Sequence, residues 1–263
     1  MKLCRFQPLD PPSAEISPSP LAGIIEDSRV FELRGGLWDD RQRTRRSWPL
    51  DGIRFLPPSV PSKIVCVGRN YHEHAQELGN EVPKQPLIFF KPPSSVIAHQ
   101  ETIVLPPVSQ RVDYEGELAI IIGRRCRHLS SGDDVRPYIF GYTALNDVTA
   151  RDLQKPDGQW TRAKGFDTFC PLGPVVETEQ PAPSTTVETF VNGAKKQSGR
   201  LEEMIFPIDA VLVWITAVMT LLPGDIIATG TPSGVGPLAP GDTVEVAVSG
   251  VATLRNAVAA QAP

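Results

Sequence analysis

Cysteine is scarce and scattered. Cys4, Cys66, Cys126 and Cys170 show no paired spacing, so neither a disulfide framework nor a zinc site is expected, and a reducing cytoplasm fits best. No apolar run reaches the roughly 20 residues that a membrane-spanning helix needs. The longest, Ala210 to Leu222, is interrupted by Thr216 and Thr220 and reads as a buried core helix ended by Pro223-Gly224. The opening MKLCRFQPLD has one lysine with no apolar stretch behind it, which argues against a secretory leader. Excess positive charge is also lacking: the formal net charge is -4, a poor balance for nucleic-acid binding. The single basic run, Arg41, Arg43, Arg45 and Arg46, has no interleaved aromatic platform and reads as a solvated surface segment. Internal repeats and low-complexity tracts are absent, and the glycine-rich stretch Thr229 to Gly236 lacks the Gly-Lys-Ser/Thr ending of a phosphate-binding loop.

What remains is the composition of an ordinary globular protein, 41% hydrophobic and 21% charged, in a chain long enough for one large domain or a small domain joined to a larger one. Residues 1–60 are rich in proline (Pro11-Pro12, Pro18, Pro20, Pro57-Pro58, Pro61 just beyond) and carry one strand-like unit, Leu21 to Leu33, as expected of a small N-terminal subdomain. From residue 61 to 263 short apolar runs alternate with Gly, Pro and Asp. They include Ile64 to Val67, Leu87 to Phe90, Leu118 to Ile122, Tyr138 to Leu145, Gly224 to Ala228 and Thr243 to Val248, each of strand length. Only His72 to Leu78 and Pro207 to Leu222 have helical character. The expected fold class is therefore α+β and β-rich.

The strongest chemical signal is Asp113-Tyr114-Glu115-Gly116-Glu117 at the head of the apolar run Leu118 to Ile122. On a strand, positions i and i+2 share a face, so Glu115 and Glu117 converge. Two readings stay open: a solvated strand end, or a pair neutralised by a cation. Asp147, which follows the apolar run Ile139 to Leu145, adds a third carboxylate where a strand emerges. With no histidine or cysteine beside them, the three make an all-oxygen set that favours Mg²⁺, Mn²⁺ or Ca²⁺ over zinc.

Several longer motifs stand in series. They are Gly68-Arg69-Asn70-Tyr71-x-x-His74-x-x-Glu77, Tyr114-Glu115-x-Glu117-Leu118, Asn146-Asp147-x-Thr149-Ala150-Arg151-Asp152, Lys164-x-Phe166-Asp167 and Thr229-Gly230-Thr231-Pro232-x-Gly234-Val235-Gly236. Together, over about residues 63–256, they closely resemble the fumarylacetoacetate hydrolase family, in its acylpyruvase and 2-hydroxyhepta-2,4-diene-1,7-dioate isomerase-like branch. The resemblance implies a mixed β-roll main domain with a smaller N-terminal domain, a homodimer, and Glu115, Glu117 and Asp147 as ligands of Mg²⁺ or Mn²⁺, with Ca²⁺ conceivable in a crystal. It implies one of several chemistries on a small 2-oxo acid: acylpyruvate cleavage, oxaloacetate decarboxylation, hydroxymuconate-type isomerisation or keto-enol tautomerisation.

Residue by residue, the resemblance makes His74 and Glu77 the water-activating dyad that cleaving members carry on a mobile lid, an argument for hydrolytic or related chemistry, although their i, i+3 spacing in a polar stretch also suits a plain surface helix. His72 stands beside them as a competing histidine. Lys164 would face the substrate and stabilise negative charge, where composition alone would leave a lysine exposed. Arg151 and Gln154, four and seven residues after Asp147, share one helical face with it in this reading and would orient a substrate carboxylate. Thr231 would contact substrate. His99 and His128 match no motif and are assigned to surface or structural roles. The expected function is a metal-dependent reaction through an enolate, C–C cleavage first, isomerase or tautomerase chemistry second, and a catalytically silent metal- or ligand-binding protein as the remote alternative. The partners expected are the small 2-oxo acid and a second copy of the chain, with no nucleic acid and no membrane.

Overall fold

The computed structural model describes residues 1–9, 19–77 and 82–262. Pro11, Pro12, Pro18 and Leu78 lie outside the described residues. In chain order the first elements are β1 (Lys2–Pro8), β2 (Leu21–Glu26), β3 (Arg29–Leu33), β4 (Arg43–Pro49) and β5 (Ile53–Leu56). Next come β6 (Ile64–Gly68), α1 (His72–Glu77), β7 (Leu87–Lys91), β8 (Val96–Ile97), β9 (Thr102–Leu105), β10 (Val112–Tyr114), β11 (Gly116–Ile122) and β12 (Ile139–Asn146). The chain continues through β13 (Thr149–Ala150), α2 (Arg151–Asp157), α3 (Thr161–Lys164), β14 (Cys170–Glu177), β15 (Thr186–Val191), β16 (Ala194–Arg200) and α4 (Ile208–Val218). It ends with β17 (Ile226–Ala228), β18 (Gly236–Pro237), β19 (Thr243–Val248) and β20 (Ala252–Ala260).

The architecture is strand-rich, as expected, and its backbone is a twelve-stranded sheet whose main path runs β4-β3-β2-β1-β14-β12-β11-β17-β6-β7. The pairing of β1 with β14 carries this sheet from the first segment into the main body. Strand β11, GELAIII, is buried along its whole length because both its faces are covered. Leu118, Ile120 and Ile122 pack with Val187, Val246 and Leu254 of a second, five-stranded sheet of order β16-β15-β19-β20-β9, while Ala119 and Ile121 pack with Ile64, Cys66 and Leu145 on the other side. A continuous apolar run is what a strand buried on both faces requires. Glu117 shares the face of Ala119 and Ile121, so the site sits where this second layer of core ends.

Three expectations need correction. Helical structure is not confined to two segments, since α2 and α3 also form, and the long apolar helix stops at Val218 where Met219 turns extended. The first segment holds five strands rather than one strand-like unit. The basic run is not merely a solvated segment: Arg43 to Pro49 is the edge strand β4, paired with β3 and carrying ion pairs of Arg46 with Glu32 of β3 and of Arg43 with Glu26 at the end of β2. Among the described residues no helix is long and apolar enough to cross a membrane.

Candidate active site

Glu115 does not lie on a strand beside Glu117. It occupies the break between β10, which belongs to a small sheet of order β13-β10-β18, and β11 of the large sheet. Its position is fixed by the chain opposite: the Glu115 N–H donates to Asn146 Oδ1 at 2.9 Å, and its carbonyl accepts the Asp147 N–H at 2.8 Å. Asp147 follows the last residue of β12, so these two bonds bring the end of one strand and the start of its neighbour to a common point. Gly116 makes the break possible, because a Cβ there would lie 2.1 Å from Thr189 Oγ1 on the facing sheet. Glu115, Glu117 and Asp147 are all buried, and each offers an oxygen within 4.8 Å of the others.

Two lysines answer this charge. Lys164, at the end of α3, donates to Glu115 Oε2 at 2.8 Å and Asp147 Oδ2 at 2.6 Å, and is 2% exposed. Lys91, at the end of β7, donates to Asp147 Oδ1 at 2.7 Å and to the Val148 carbonyl at 3.1 Å. Lys91 carries no signal in the sequence: the apolar run there ends at Phe90, and a partner 56 positions away leaves no local trace. Arg151 is held from three sides, donating from Nε to Asp113 at 2.9 Å, from Nη1 to Gln154 at 2.7 Å and from Nη2 to Glu115. Asp113, fully buried, was likewise unassigned. The i, i+3 contact of Arg151 with Gln154 is helical, but Asp147 is not on that helix, because β13 intervenes.

The three carboxyls are not equivalent. Burial pushes Glu115 up, yet the charges of Lys164 and then Arg151 prevail and hold it well below the usual carboxylate range. Glu117 moves the other way, raised far above its ordinary value by burial and then by Asp147 and Glu115. Its one hydrogen bond among the described residues comes from the Gly230 N–H, at 2.7 Å. The φ of +99° at Gly230, where a Cβ would lie 2.6 Å from that of Asn70, lets this backbone approach. Burial depresses Lys164, but Asp147 and Glu115 outweigh it and keep the ammonium charged. A buried carboxylate with no cation of its own, inside an all-oxygen set of three, is the environment that a hard divalent cation fits.

These groups line a cavity of about 570 Å³ together with His74, Gln154 and Thr231. His74 is buried, with Nδ1 3.3 Å from Glu77 Oε2, and the Glu77 carboxylate also accepts the Gly234 N–H at 3.1 and 3.2 Å. His72 is exposed and lines a separate cavity behind α1, so it does not compete for the position of His74. Thr231 donates its hydroxyl proton to the Gly116 carbonyl and accepts from Gln197 Nε2, both at 2.8 Å. Its hydroxyl thus braces the glycine between the two glutamates. All nine sequence-derived site residues are brought to this region, Glu77 reaching it through His74.

Residues 63–259 match the fumarylacetoacetate (FAA) hydrolase C-terminal family. The chain belongs to that family. Residues 1–58 match the domain described as Rv2993c-like, N-terminal. This fumarylacetoacetate hydrolase family member is 51% identical over 219 residues to Protein Rv2993c of Mycobacterium tuberculosis, which is 82% of each chain. It is 42% identical over 216 residues to oxaloacetate tautomerase YisK of Bacillus subtilis, spanning 77% of this chain and 71% of that one. The crystal structure of 5-carboxymethyl-2-hydroxymuconate delta-isomerase from Mycobacterium smegmatis superposes with a TM-score of 0.89 at 41% identity, covering 99% of this chain and 100% of that one. The family is one of enzymes, and the silent-binder alternative is set aside.

Proposed function

We propose that this protein is a divalent-cation-dependent isomerase or tautomerase of a small 2-oxo acid. The observation that carries the reading is the placement of a single proton-handling pair, His74 with Glu77, at the cavity that holds the carboxylate triad and Lys164. Support comes from the two relatives above whose names state a reaction, a tautomerase and an isomerase.

The hard, all-oxygen donor set of Glu115, Glu117 and Asp147 favours Mg²⁺ or Mn²⁺. When bound, such a cation supplies Lewis acidity toward a 2-oxo group and its neighbouring carboxylate. The residues of the chain do the rest. Lys164 sets a fixed positive charge against the oxygen on which negative charge grows as the C3 proton leaves. Arg151, its fork oriented by Asp113 and Gln154, binds the substrate carboxylate. Thr231 keeps Gly116, and with it the two glutamates, in place. With Nδ1 turned to Glu77, His74 presents Nε2, which has no hydrogen-bond partner among the described residues, to take the proton from carbon and return it at the new position.

C–C cleavage of an acylpyruvate, or decarboxylation of oxaloacetate, is the second reading, favoured because the same pair can hold a water instead of a C–H proton. Oxaloacetate decides between them. In Mg²⁺ or Mn²⁺ the enzyme is expected to speed keto-enol equilibration, followed by ultraviolet absorbance, with no pyruvate formed beyond the rate of the metal alone. Pyruvate released in step with oxaloacetate loss would instead establish cleavage.

The reading includes a cytoplasmic location, which suits four free and buried cysteines. It also includes the family's homodimer. On the outer face of α4, Trp214 lines a groove with Val213 and Ala217, and Val218 is 65% exposed, a surface that a second copy would cover. Sedimentation at micromolar concentration is expected to report twice the chain mass of 28.7 kDa, and a monomer there would refute the dimer.

A further inference from the structure

We propose that Lys91 is a positioning residue that limits Asp147 to a single ligating oxygen, so that the triad selects a small six-coordinate cation, Mg²⁺ or Mn²⁺, over Ca²⁺. This rests on the cation site of the proposed function and adds the residue that sets its selectivity. Lys91 is 1% exposed and does not line the cavity. It reaches the triad from the protein side, at the end of β7, where Ile64 is its cross-strand neighbour. The thiols of Cys66 and Cys170, pushed up chiefly by burial, both feel its charge. An ammonium placed there meets neither solvent nor the cavity, and burying it is costly unless it is well partnered. Its partners are Asp147 Oδ1 at 2.7 Å and the Val148 carbonyl at 3.1 Å. That carbonyl belongs to the residue after Asp147, so the ammonium ties the carboxylate to its own backbone and fixes which way it is turned.

Each carboxylate of the triad has one oxygen held by such a partner: Asp147 Oδ1 by Lys91, Glu115 Oε1 by Arg151 and Glu117 Oε2 by the Gly230 N–H. The oxygens left over are Asp147 Oδ2, Glu115 Oε2 and Glu117 Oε1. Lys164, which lines the cavity, donates to the first two at 2.6 and 2.8 Å, so these oxygens face the side from which a cation arrives. Carboxylates that give one oxygen each leave half of an octahedral shell to water or a 2-oxo acid, which suits Mg²⁺ and Mn²⁺. Ca²⁺ takes about six to eight oxygens at longer distances and gains from carboxylates that bind through both. Among the three fixed partners, Arg151 lines the cavity and also serves the substrate in the proposed function, and the Gly230 N–H is uncharged. Lys91 is the charged one that is walled off from the cavity and committed to a single carboxylate.

Competition between Mn²⁺ and Ca²⁺ on the metal-free protein tests this without turnover, with free Mn²⁺ followed by electron paramagnetic resonance and each cation titrated by calorimetry. The wild-type protein is expected to bind Mn²⁺ about tenfold or more tightly than Ca²⁺. Lys91→Met keeps the length of the stem, removes the ammonium and frees Asp147 Oδ1. Both cations gain from the lost positive charge, so the readout is the ratio of the two affinities. It is expected to move toward Ca²⁺ by about tenfold, the lower end of what losing a partner of a metal ligand does. Lys91→Gln, with an N–H donor on a shorter arm, is expected to fall between. A merely structural role would lower the thermal midpoint or change both affinities alike. An unchanged ratio in a Lys91→Met protein that still binds both cations overturns the role of Lys91. So does a wild-type protein that binds Ca²⁺ as tightly as Mn²⁺, a result that needs no variant to fold. A wild-type protein that binds neither cation overturns the triad as a cation site, and the proposed function with it.

Discussion

Glu117→Gln is expected to act with opposite signs on two measurements. It should raise the thermal midpoint of the metal-free protein, and it should weaken Mg²⁺ or Mn²⁺ binding by about 10²-fold or more, beyond the 10- to 100-fold typical of losing a partner one shell removed from a metal. The reason lies in the unequal partnering of the triad. Glu115 shares Lys164 and Arg151, and Asp147 shares Lys91 and Lys164, whereas Glu117 has one backbone N–H. Without a cation, Glu117 must either carry its charge against two like charges or take up a proton, the direction in which burial, Asp147 and Glu115 push it, and either way it costs stability. An amide of the same shape keeps the Gly230 contact, donates to the neighbouring carboxylates and removes the repulsion. With the cation, the same change deletes one of three anionic ligands. Differential scanning fluorimetry with and without metal, and calorimetric titration with Mn²⁺, read the two effects separately. A metal-free midpoint that falls, or affinity that stays at the wild-type value, would show that Glu117 is not a ligand.

The convergence of these carboxylates was legible in the sequence, but for a partly mistaken reason. Spacing by two on one strand brings side chains to one face, yet Glu115 stands at a break between sheets. What aligns it is the Asp147-to-Glu115 backbone bond, together with a glycine that the facing sheet leaves no room to replace. Strands such as Ile64–Gly68, Leu87–Lys91 and Ile139–Asn146 announced themselves because buried strands are apolar runs cut by Gly, Pro and Asp. Strand β4 did not, because an edge strand held by cross-strand pairs of Arg43 and Arg46 has no apolar alternation to display. Helix α2 was obscured by Pro156 in its last turn. Lys91 and Asp113 owe their placement to contacts across distant segments. No local pattern encodes such relations, so the residues that surround a site are harder to read than those that form it.

His74→Ala is expected to lower keto-enol interconversion by about 10²- to 10⁴-fold, the usual worth of a positioned acid-base group. The isomerase reading demands more than a loss of turnover: exchange of the C3 protons of bound substrate with solvent deuterium, followed by proton NMR, must fall in the same proportion, because His74 is there the group that lifts the proton from carbon. Cleavage predicts a different outcome. If His74 serves only to activate water, enolisation driven by Lys164 and the cation persists, and C3 exchange in His74→Ala stays near the wild-type rate while product release stops. Glu77→Gln separates orientation from proton transfer. The 3.3 Å contact to His74 is long, and the Glu77 carboxylate is shared with the Gly234 N–H, so its loss is expected to be milder, about tenfold, and to shift the pH profile of turnover rather than abolish exchange. Metal affinity, measured on the same variants, is the control. His74 takes no part in the triad, so a His74→Ala protein that fails to bind Mn²⁺ has lost its site by misfolding, and only the variant that retains the metal reports on the proton.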